Sequence, residues 1–196
     1  LGYSIYYTLV NIGGWLGPVL ASQVRVSLGI AQVLLGASLT SLVLFVATLL
    51  FFREPDGVPE AERRTLGKVL RDAALVFGNG RFIGFLVIFT GFWVMFWQVY
   101  DLFPFYLRDV LHVERFELIA SLESFSVIFL TVPIAALMKK VRPVPQMTLG
   151  IGVGSCSWLL LVASQTWQAA ALAMFLLALG EVLQAPRYYE YVADLA

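Results

Sequence analysis

Long stretches of this chain carry no charged side chain. Its 196 residues include 13 basic and 13 acidic side chains, only 13% of the total, whereas 60% are hydrophobic. The charge-free stretches are residues 1–24, 26–52, 82–100, 124–138 and 143–180. A helix that crosses a membrane needs about 20 apolar residues. The pattern therefore predicts a polytopic membrane protein, and it excludes a soluble enzyme and a nucleic-acid-binding protein.

Six transmembrane helices account for these stretches. The last stretch is long enough for two helices that fold back at residues 164–168. The expected fold class is therefore all-α, with a lipid bilayer around most of the surface. We expect helices over residues 3–22, 29–52, 82–106, 117–138, 146–163 and 169–191.

The basic side chains predict which ends of the helices face the cytoplasm. Residues 53–81 hold six Lys and Arg and residues 139–145 hold three, whereas the alternate connections hold one, two and none. Cytoplasmic loops of membrane proteins carry an excess of these residues. We therefore expect a multi-pass protein of the cell membrane (plasma or inner membrane), with both basic loops in the cytoplasm.

The segment 53–81 divides the chain into two helices before it, in residues 1–52, and four after it, in residues 82–196. From Glu60 to Phe77 apolar residues recur at helical spacing, which predicts an amphipathic helix on the inner membrane surface. A solvated linker is the alternative. Two helices alone make no bundle, and the sequence begins with Leu1. We therefore expect a fragment of a longer protein, with further helices as partners.

Glu181 is the first candidate for a functional residue inside the membrane. It lies about 18 Å along its predicted helix, in a hydrocarbon core about 30 Å thick. A carboxyl group at that depth must face a cavity, pair with a cation or hold a proton, because burial favours its protonated form. The alternatives are a structural ion pair or a position nearer the cytoplasmic mouth.

Two further carboxyl groups are candidates for a gate. Glu123 lies near the outer end of its helix, where it either lines a cavity with Ser124 or reaches the interface. Asp101 lies close to the outer surface, where a carboxylate at the level of the lipid headgroups is the alternative.

Amide and aromatic side chains complete the candidate set. Asn11 and Gln98 either bind a polar substrate or bond a neighbouring helix. Tyr7 and Trp93 either line a cavity or pack in the core. Gly150 and Gly154, four residues apart, predict close helix packing.

The sequence offers little chemistry to an enzyme. No metal-ligand cluster is present, and Cys156 is the only cysteine, so no intramolecular disulfide can form. The single histidine, His112, lies in a predicted outer loop, away from any membrane nucleophile such as Ser155. We expect neither an enzyme, nor a metal site, nor a cofactor.

Three motifs, in order along the chain, resemble one known family. Residues 6–13 (YYTLVNIG) resemble F-Y-x-x-I-N-x-G in the fifth helix of proton-dependent oligopeptide transporters, a branch of the major facilitator superfamily. Residues 92–98 (FWVMFWQ) resemble F-W-x-x-F-D-Q in the seventh helix. Residues 180–186 (GEVLQAP) resemble G-E-x-x-x-x-P in the tenth.

The resemblance implies a partial major facilitator fold that contains helices five to ten of twelve. It further implies a secondary active transporter, proton-coupled, for a small polar solute such as a di- or tripeptide. Asn11 and Glu181 would lie at the central cavity, with Tyr7 and Trp93 on its wall. Glu181 would then contact the amino group of the substrate or take part in a proton-coupled gate.

Two alternatives to a peptide transporter stay open. Trp97 stands where the branch has the acid of its seventh helix. A major facilitator carrier of a non-peptide solute is therefore one alternative. A non-transporting membrane scaffold or sensor is the other.

Overall fold

The computed structural model describes residues 2–53 and 65–195. Within these residues the regular structure is helical. The α-helices are α1 Gly2–Leu28, α2 Ile30–Phe51, α3 Leu66–Gly78, α4 Gly80–Asp101, α5 Phe103–Phe105, α6 Phe116–Ala120, α7 Leu122–Leu137, α8 Pro143–Ala163 and α9 Trp167–Leu195.

Among the described residues, five helical segments are long and apolar enough to cross a membrane. They are Ile30–Phe51, Gly80–Val110, Phe116–Leu137, Pro143–Ala163 and Trp167–Val192. The other long helix, α1, has 27 residues but includes more polar side chains, such as Asn11 and Gln23, and is not among the five. The fold is therefore that of an all-α, multi-pass membrane protein.

The expected helix boundaries agree with the observed ones to within a few residues, except at the ends of two helices. The first helix runs to Leu28 instead of residue 22, and the single residue Gly29 separates it from α2. Gly29 has φ 98°, in the left-handed region that favours glycine, and this allows so short a connection between two helices.

The helix expected over residues 82–106 is divided. α4 ends at Asp101, and the three-residue α5 has Pro104 near its start. A π-helical turn over Tyr106–Val110 follows, and His112 leaves the segment with φ 52°. Proline lacks the N–H that would continue the α-helical ladder, which accounts for the break.

A surface helix is present where the sequence predicts an amphipathic one. It covers Leu66–Gly78, and the expected start at Glu60 lies outside the described residues. Leu66, Leu70 and Phe77 are largely exposed. An apolar face of this kind suits a helix that lies on a membrane surface.

The core lies between α4, α8 and α9. Its buried side chains include Phe92, Phe96, Leu161, Met174 and Leu177. α7 packs on α9, α1 packs on α7, and α2 packs on α1 without burying any of its own residues. We call the end of the bundle that carries residues 139–142 the basic end.

Glycines bring α8 and α9 into backbone contact, as the spacing of Gly150 and Gly154 predicts. A Cβ atom on Gly150 would lie 2.6 Å from the carbonyl oxygen of Gly180. A Cβ on Gly180 would lie 2.8 Å from the backbone nitrogen of Gly154. Both distances are too short for real atoms, so only glycine allows this crossing.

Candidate functional site

Glu181 lies halfway along α9, and its side chain is 9% exposed. It follows Trp167, the first residue of the helix, by about 21 Å at 1.5 Å per residue. The Tyr7 hydroxyl donates a hydrogen bond of 2.9 Å to Glu181 Oε1. Glu181 Oε2 is buried and has no hydrogen-bond partner among the described residues. The carboxyl group is thus buried at a contact between α1 and α9.

Glu123 reaches the same place from α7. Its side chain is 2% exposed, and its Oε2 accepts a hydrogen bond of 2.8 Å from the Ser124 hydroxyl. Val127, one turn further along α7, packs against the residues of α9 on either side of Glu181 and against Tyr7. We call Tyr7, Glu123, Ser124 and Glu181 the carboxyl cluster.

Two neighbouring residues border the carboxyl cluster. Tyr100, near the end of α4, is about half exposed, and its hydroxyl lies near Ser124. Asn11 is buried on α1, and its Nδ2 donates a bond of 2.9 Å to the carbonyl of Tyr7. A Cβ on Gly14 would meet Ser124 Oγ at 2.8 Å, which shows how closely α1 approaches α7.

The arrangement suits a site that binds protons. In the described part of the chain, neither Glu123 nor Glu181 forms an ion pair with a Lys, Arg or His side chain. Two adjacent carboxylates in a place of low dielectric constant cannot both carry a charge without a large cost. Hydroxyl donors are the hydrogen-bond partners that the described side chains offer to these carboxyl groups.

The other sequence-predicted residues lie along α4. Trp93 packs edge-on against Phe92 and Phe96 in the core. Gln98 Nε2 bonds the carbonyl of Val94, one turn earlier in the same helix. Asp101 is exposed at the last residue of α4. The structure therefore brings Tyr7, Glu123 and Glu181 together, whereas the ring contacts of Trp93 and the hydrogen bond of Gln98 lie within α4.

The family model of the Major Facilitator Superfamily matches residues 1–196. The chain belongs to the major facilitator superfamily. Proteins of this superfamily are in general membrane transporters rather than enzymes, so the multi-pass helical chain is a major facilitator transporter. No curated protein and no solved structure gives a significant match to it.

Sequence reasoning missed a polar group of this transporter at the basic end. Gln146 is buried in α8, and its Nε2 donates a bond of 2.9 Å to the carbonyl of Leu183 in α9. Arg187 Nε donates to Gln146 Oε1 at 3.0 Å, and Arg187 Nη2 donates to the carbonyl of Met138 at 3.2 Å. The guanidinium thus joins the end of α7 to α8 and α9. The sequence signal for this group was Gln146 itself, a polar residue in an apolar stretch.

Gln184 is the second residue that the sequence did not single out. Its side chain is fully buried, and neither amide atom has a hydrogen-bond partner among the described residues. It packs beside Gly150, one turn of α9 beyond Gly180. Burial of an amide without hydrogen bonds costs free energy. Gln184 is held away from water because it lies next to the contact between Gly150 and Gly180.

At the opposite end of this facilitator, an ion pair joins α1 to α6. Arg25 bonds both carboxylate oxygens of Glu117 and donates from Nη2 to the carbonyl of Glu114 at 2.6 Å. Its guanidinium also lies 5.1 Å from the centre of the Phe116 ring. α1 is therefore attached to the second part of the chain at the carboxyl cluster and again at this end.

The described grooves lie away from the carboxyl cluster. A groove of about 800 Å³ runs along α8 past Leu149, Val153 and Cys156, and its lining is mostly apolar. A smaller one of about 300 Å³ lies at the basic end beside Lys139 and Arg187. The first suits contact with lipid chains rather than with a polar solute.

Proposed function

We propose that this major facilitator transporter is a proton-coupled secondary transporter. It moves a small polar solute, such as a di- or tripeptide, by alternating access. The observation that carries the proposal is the hydrogen bond between Tyr7 and the buried carboxyl group of Glu181. This bond joins a helix of residues 1–52 to a helix of residues 82–196.

The position of this bond supports coupling between protonation and movement. In alternating access, two helical units rock against each other around a site near the middle of the membrane. Tyr7 belongs to the first unit and Glu181 to the second. Rocking changes the distance between donor and acceptor, so the charged carboxylate is stabilised unequally in the two states. A proton that binds Glu181 therefore shifts the conformational equilibrium.

The peptide substrate and the place of the chain in the fold rest on the three motifs. Their order favours helices five to ten of a twelve-helix transporter, with α3 in the connection between the halves. The basic end then faces the cytoplasm, in agreement with the positive-inside rule. Glu181 would bind the amino group of a peptide, and the amide of Asn11 lies close by as a polar contact.

Transport by the full-length protein in proteoliposomes tests this proposal. Labelled dialanine is the probe, driven either by an imposed proton gradient or by an excess of unlabelled dialanine inside the vesicles. We expect Glu181→Gln to lower gradient-driven uptake by about tenfold or more, because the variant cannot take up the coupling proton. Exchange should persist. Asp109→Asn, which removes an exposed carboxylate paired with the adjacent Arg108, is the matched control.

The other results separate the remaining possibilities. Unchanged gradient-driven uptake in Glu181→Gln excludes the coupling role of this residue. Absence of dialanine uptake together with gradient-driven uptake of a labelled non-peptide solute identifies a carrier of another class. Binding of dialanine without exchange in the wild-type protein favours a sensor or scaffold.

A further inference from the structure

The groove of about 300 Å³ at the basic end has charged groups on one side and apolar groups on the other. We call it the basic groove. Its lining consists of Ala135, Lys139, Gln146, Val182, Pro186, Arg187 and Glu190. One positive charge from each of Lys139 and Arg187 and one negative charge from Glu190 leave the lining with a net charge of +1. The charge of the groove therefore favours an anionic ligand.

Arg187 keeps hydrogen-bond donors for such a ligand. A guanidinium group has five N–H donors. Among the described residues, Arg187 donates to Gln146 Oε1, to Glu190 Oε2 and to the carbonyl of Met138. Three of the five donors are thus used, and two are left. The same three bonds hold the guanidinium group in place, so a ligand need not order it.

Lys139 supplies the second cation of the basic groove, from the turn after α7. Its side chain is exposed, and within residues 2–53 and 65–195 no acidic side chain forms an ion pair with it. Lys140 and Arg142 add further positive charge to the same end, and the sequence has no acidic residue from 124 to 180. Ammonium and guanidinium groups that meet at one groove are typical of a site for a phosphate or a carboxylate.

The depth of the basic groove indicates which anion it takes. Arg187 follows Trp167, the first residue of α9, by about 30 Å, the thickness of the hydrocarbon core. Tyr189, in the next turn, is exposed, and tyrosine is frequent at the boundary between membrane and water. Lys139 lies between two membrane-spanning segments, just after Leu137. The two cations are therefore at the level of the lipid headgroups.

We propose that the basic groove binds an anionic phospholipid of the adjacent leaflet through its headgroup phosphate. The phosphate accepts hydrogen bonds from the ammonium group of Lys139 and from the two remaining N–H groups of Arg187. Ala135 and Val182 lie nearer the middle of the membrane along α7 and α9, where they contact the glycerol and the acyl chains. This site does not depend on the proposed transport activity.

Glu190 makes the site selective for position as well as for charge. Its carboxylate is half exposed and pairs with Arg187, so it repels a phosphate that approaches from the water. The apolar side of the basic groove, with Ala135 and Val182, is open to no such repulsion. A free phosphate ion would gain nothing from those apolar side chains, whereas a lipid contacts them. The combination therefore favours a lipid over a soluble anion.

Native mass spectrometry of the purified full-length protein in detergent tests the site. Dioleoylphosphatidylglycerol is the probe. Dioleoylphosphatidylcholine, which has the same chains and no net charge, is the reference lipid. We expect the wild-type protein to bind phosphatidylglycerol more tightly than phosphatidylcholine. Lys139→Gln should lower the affinity for phosphatidylglycerol by about fivefold, the effect of one cation close to an anionic headgroup.

Two further variants make the test specific to the basic groove. Lys140→Gln, the matched control, removes the same charge from the next residue, which is exposed but does not line the groove. It should change the affinity by less than about twofold, because water and salt screen that charge. Glu190→Gln should raise the affinity, since it removes the repulsion while Arg187 stays bonded to Gln146 and Met138.

Four results would overturn the proposal. Equal losses of affinity in Lys139→Gln and Lys140→Gln would indicate diffuse attraction to surface charge. Equal binding of the two lipids by the wild-type protein would exclude recognition of the anion. Weaker binding of phosphatidylglycerol by Glu190→Gln would exclude a phosphate beside Arg187. Displacement of phosphatidylglycerol by an equal concentration of inorganic phosphate would make the basic groove a site for a soluble anion.

Discussion

At the contact between Gly150 and Gly180, each glycine has only a hydrogen atom where other residues have a Cβ atom. No side chain fits at either residue, because the neighbouring atoms belong to the backbone and cannot move aside. Gly152 lies on the same helix, and a Cβ atom there would meet nothing within 4 Å. Gly150 therefore has no room for a side chain, whereas Gly152, on the same helix, has room for one.

Alanine at these two positions should have opposite effects on stability. We expect Gly150→Ala to lower the free energy of unfolding by about 1–3 kcal/mol, because α8 and α9 must separate to admit the methyl group. Gly152→Ala should leave it unchanged or raise it by up to about 1 kcal/mol, because alanine is the better helix former. Thermal unfolding in detergent, followed by tryptophan fluorescence, measures both. Equal midpoints for the two variants would contradict the tight crossing.

Among the residues of the carboxyl cluster, Glu181 could be found from the sequence and the pairing could not. A carboxyl group in the middle of an apolar helix is visible as such in any sequence. Glu123 follows the charged segment 101–117 closely and therefore resembles an interfacial residue. Whether it meets Glu181 depends on how far α7 and α9 are shifted along each other, and the hydropathy of either helix does not encode that shift.

At the scale of the elements, the guanidinium of Arg187 holds three helices together at the basic end. It donates to a side chain of α8 and to the last turn of α7, and it pairs with Glu190 on its own helix at 2.5 Å. A cation at the end of a helix also interacts favourably with the helix dipole. This position is therefore a structural junction of α7, α8 and α9.

Removing the charge of Arg187 should loosen this junction locally. We expect Arg187→Gln to lower the free energy of unfolding by about 1.5–3 kcal/mol, the range for hydrogen bonds to charged groups. Amide hydrogen exchange should rise most around Met138 and Leu183. Lys140→Gln, a change of an exposed charge at the same end, serves as the control. An increase in amide exchange that is equal over the whole chain of Arg187→Gln would argue against a local junction.

Charge-free stretches predicted the long helices well, because a helix that crosses the hydrocarbon core must be apolar over most of its length. The boundaries that differ are those decided by single residues. Gly29 allows α1 to continue to Leu28 before the chain turns, and Pro104 divides the helix expected over residues 82–106. Neither effect alters the average hydropathy of its segment, so the charge pattern alone could not show them.

At the scale of the whole molecule, Arg25 and Glu117 connect parts of the chain that are far apart in sequence. Both side chains are mostly buried, 29% and 12% exposed. The pair Arg108–Asp109 has the same chemistry, but it joins adjacent residues and is exposed. The first pair can therefore hold α1 against α6, and the second cannot hold two elements together.

Reversal of the Arg25–Glu117 pair tests this connection. We expect Arg25→Glu to lower the free energy of unfolding by about 1.5–3 kcal/mol, because two carboxylates then meet. Adding Glu117→Arg should restore part of the loss. Arg108→Glu, the control, should change stability by less than about 1 kcal/mol. Thermal unfolding of the four proteins measures the effect, and a double variant no more stable than Arg25→Glu would exclude direct pairing.

The backbone contact between α8 and α9 makes these two helices a fixed reference frame. No layer of adjustable side chains separates them at Gly150 and Gly180, so they cannot slide past each other while the remainder of the molecule moves. Cys156, the only cysteine of the chain, is exposed on α8. A spin label there is attached to the stationary frame without any prior cysteine replacement. With a second label at Ser27, at the end of α1, every change in the measured distance reports the displacement of α1 alone.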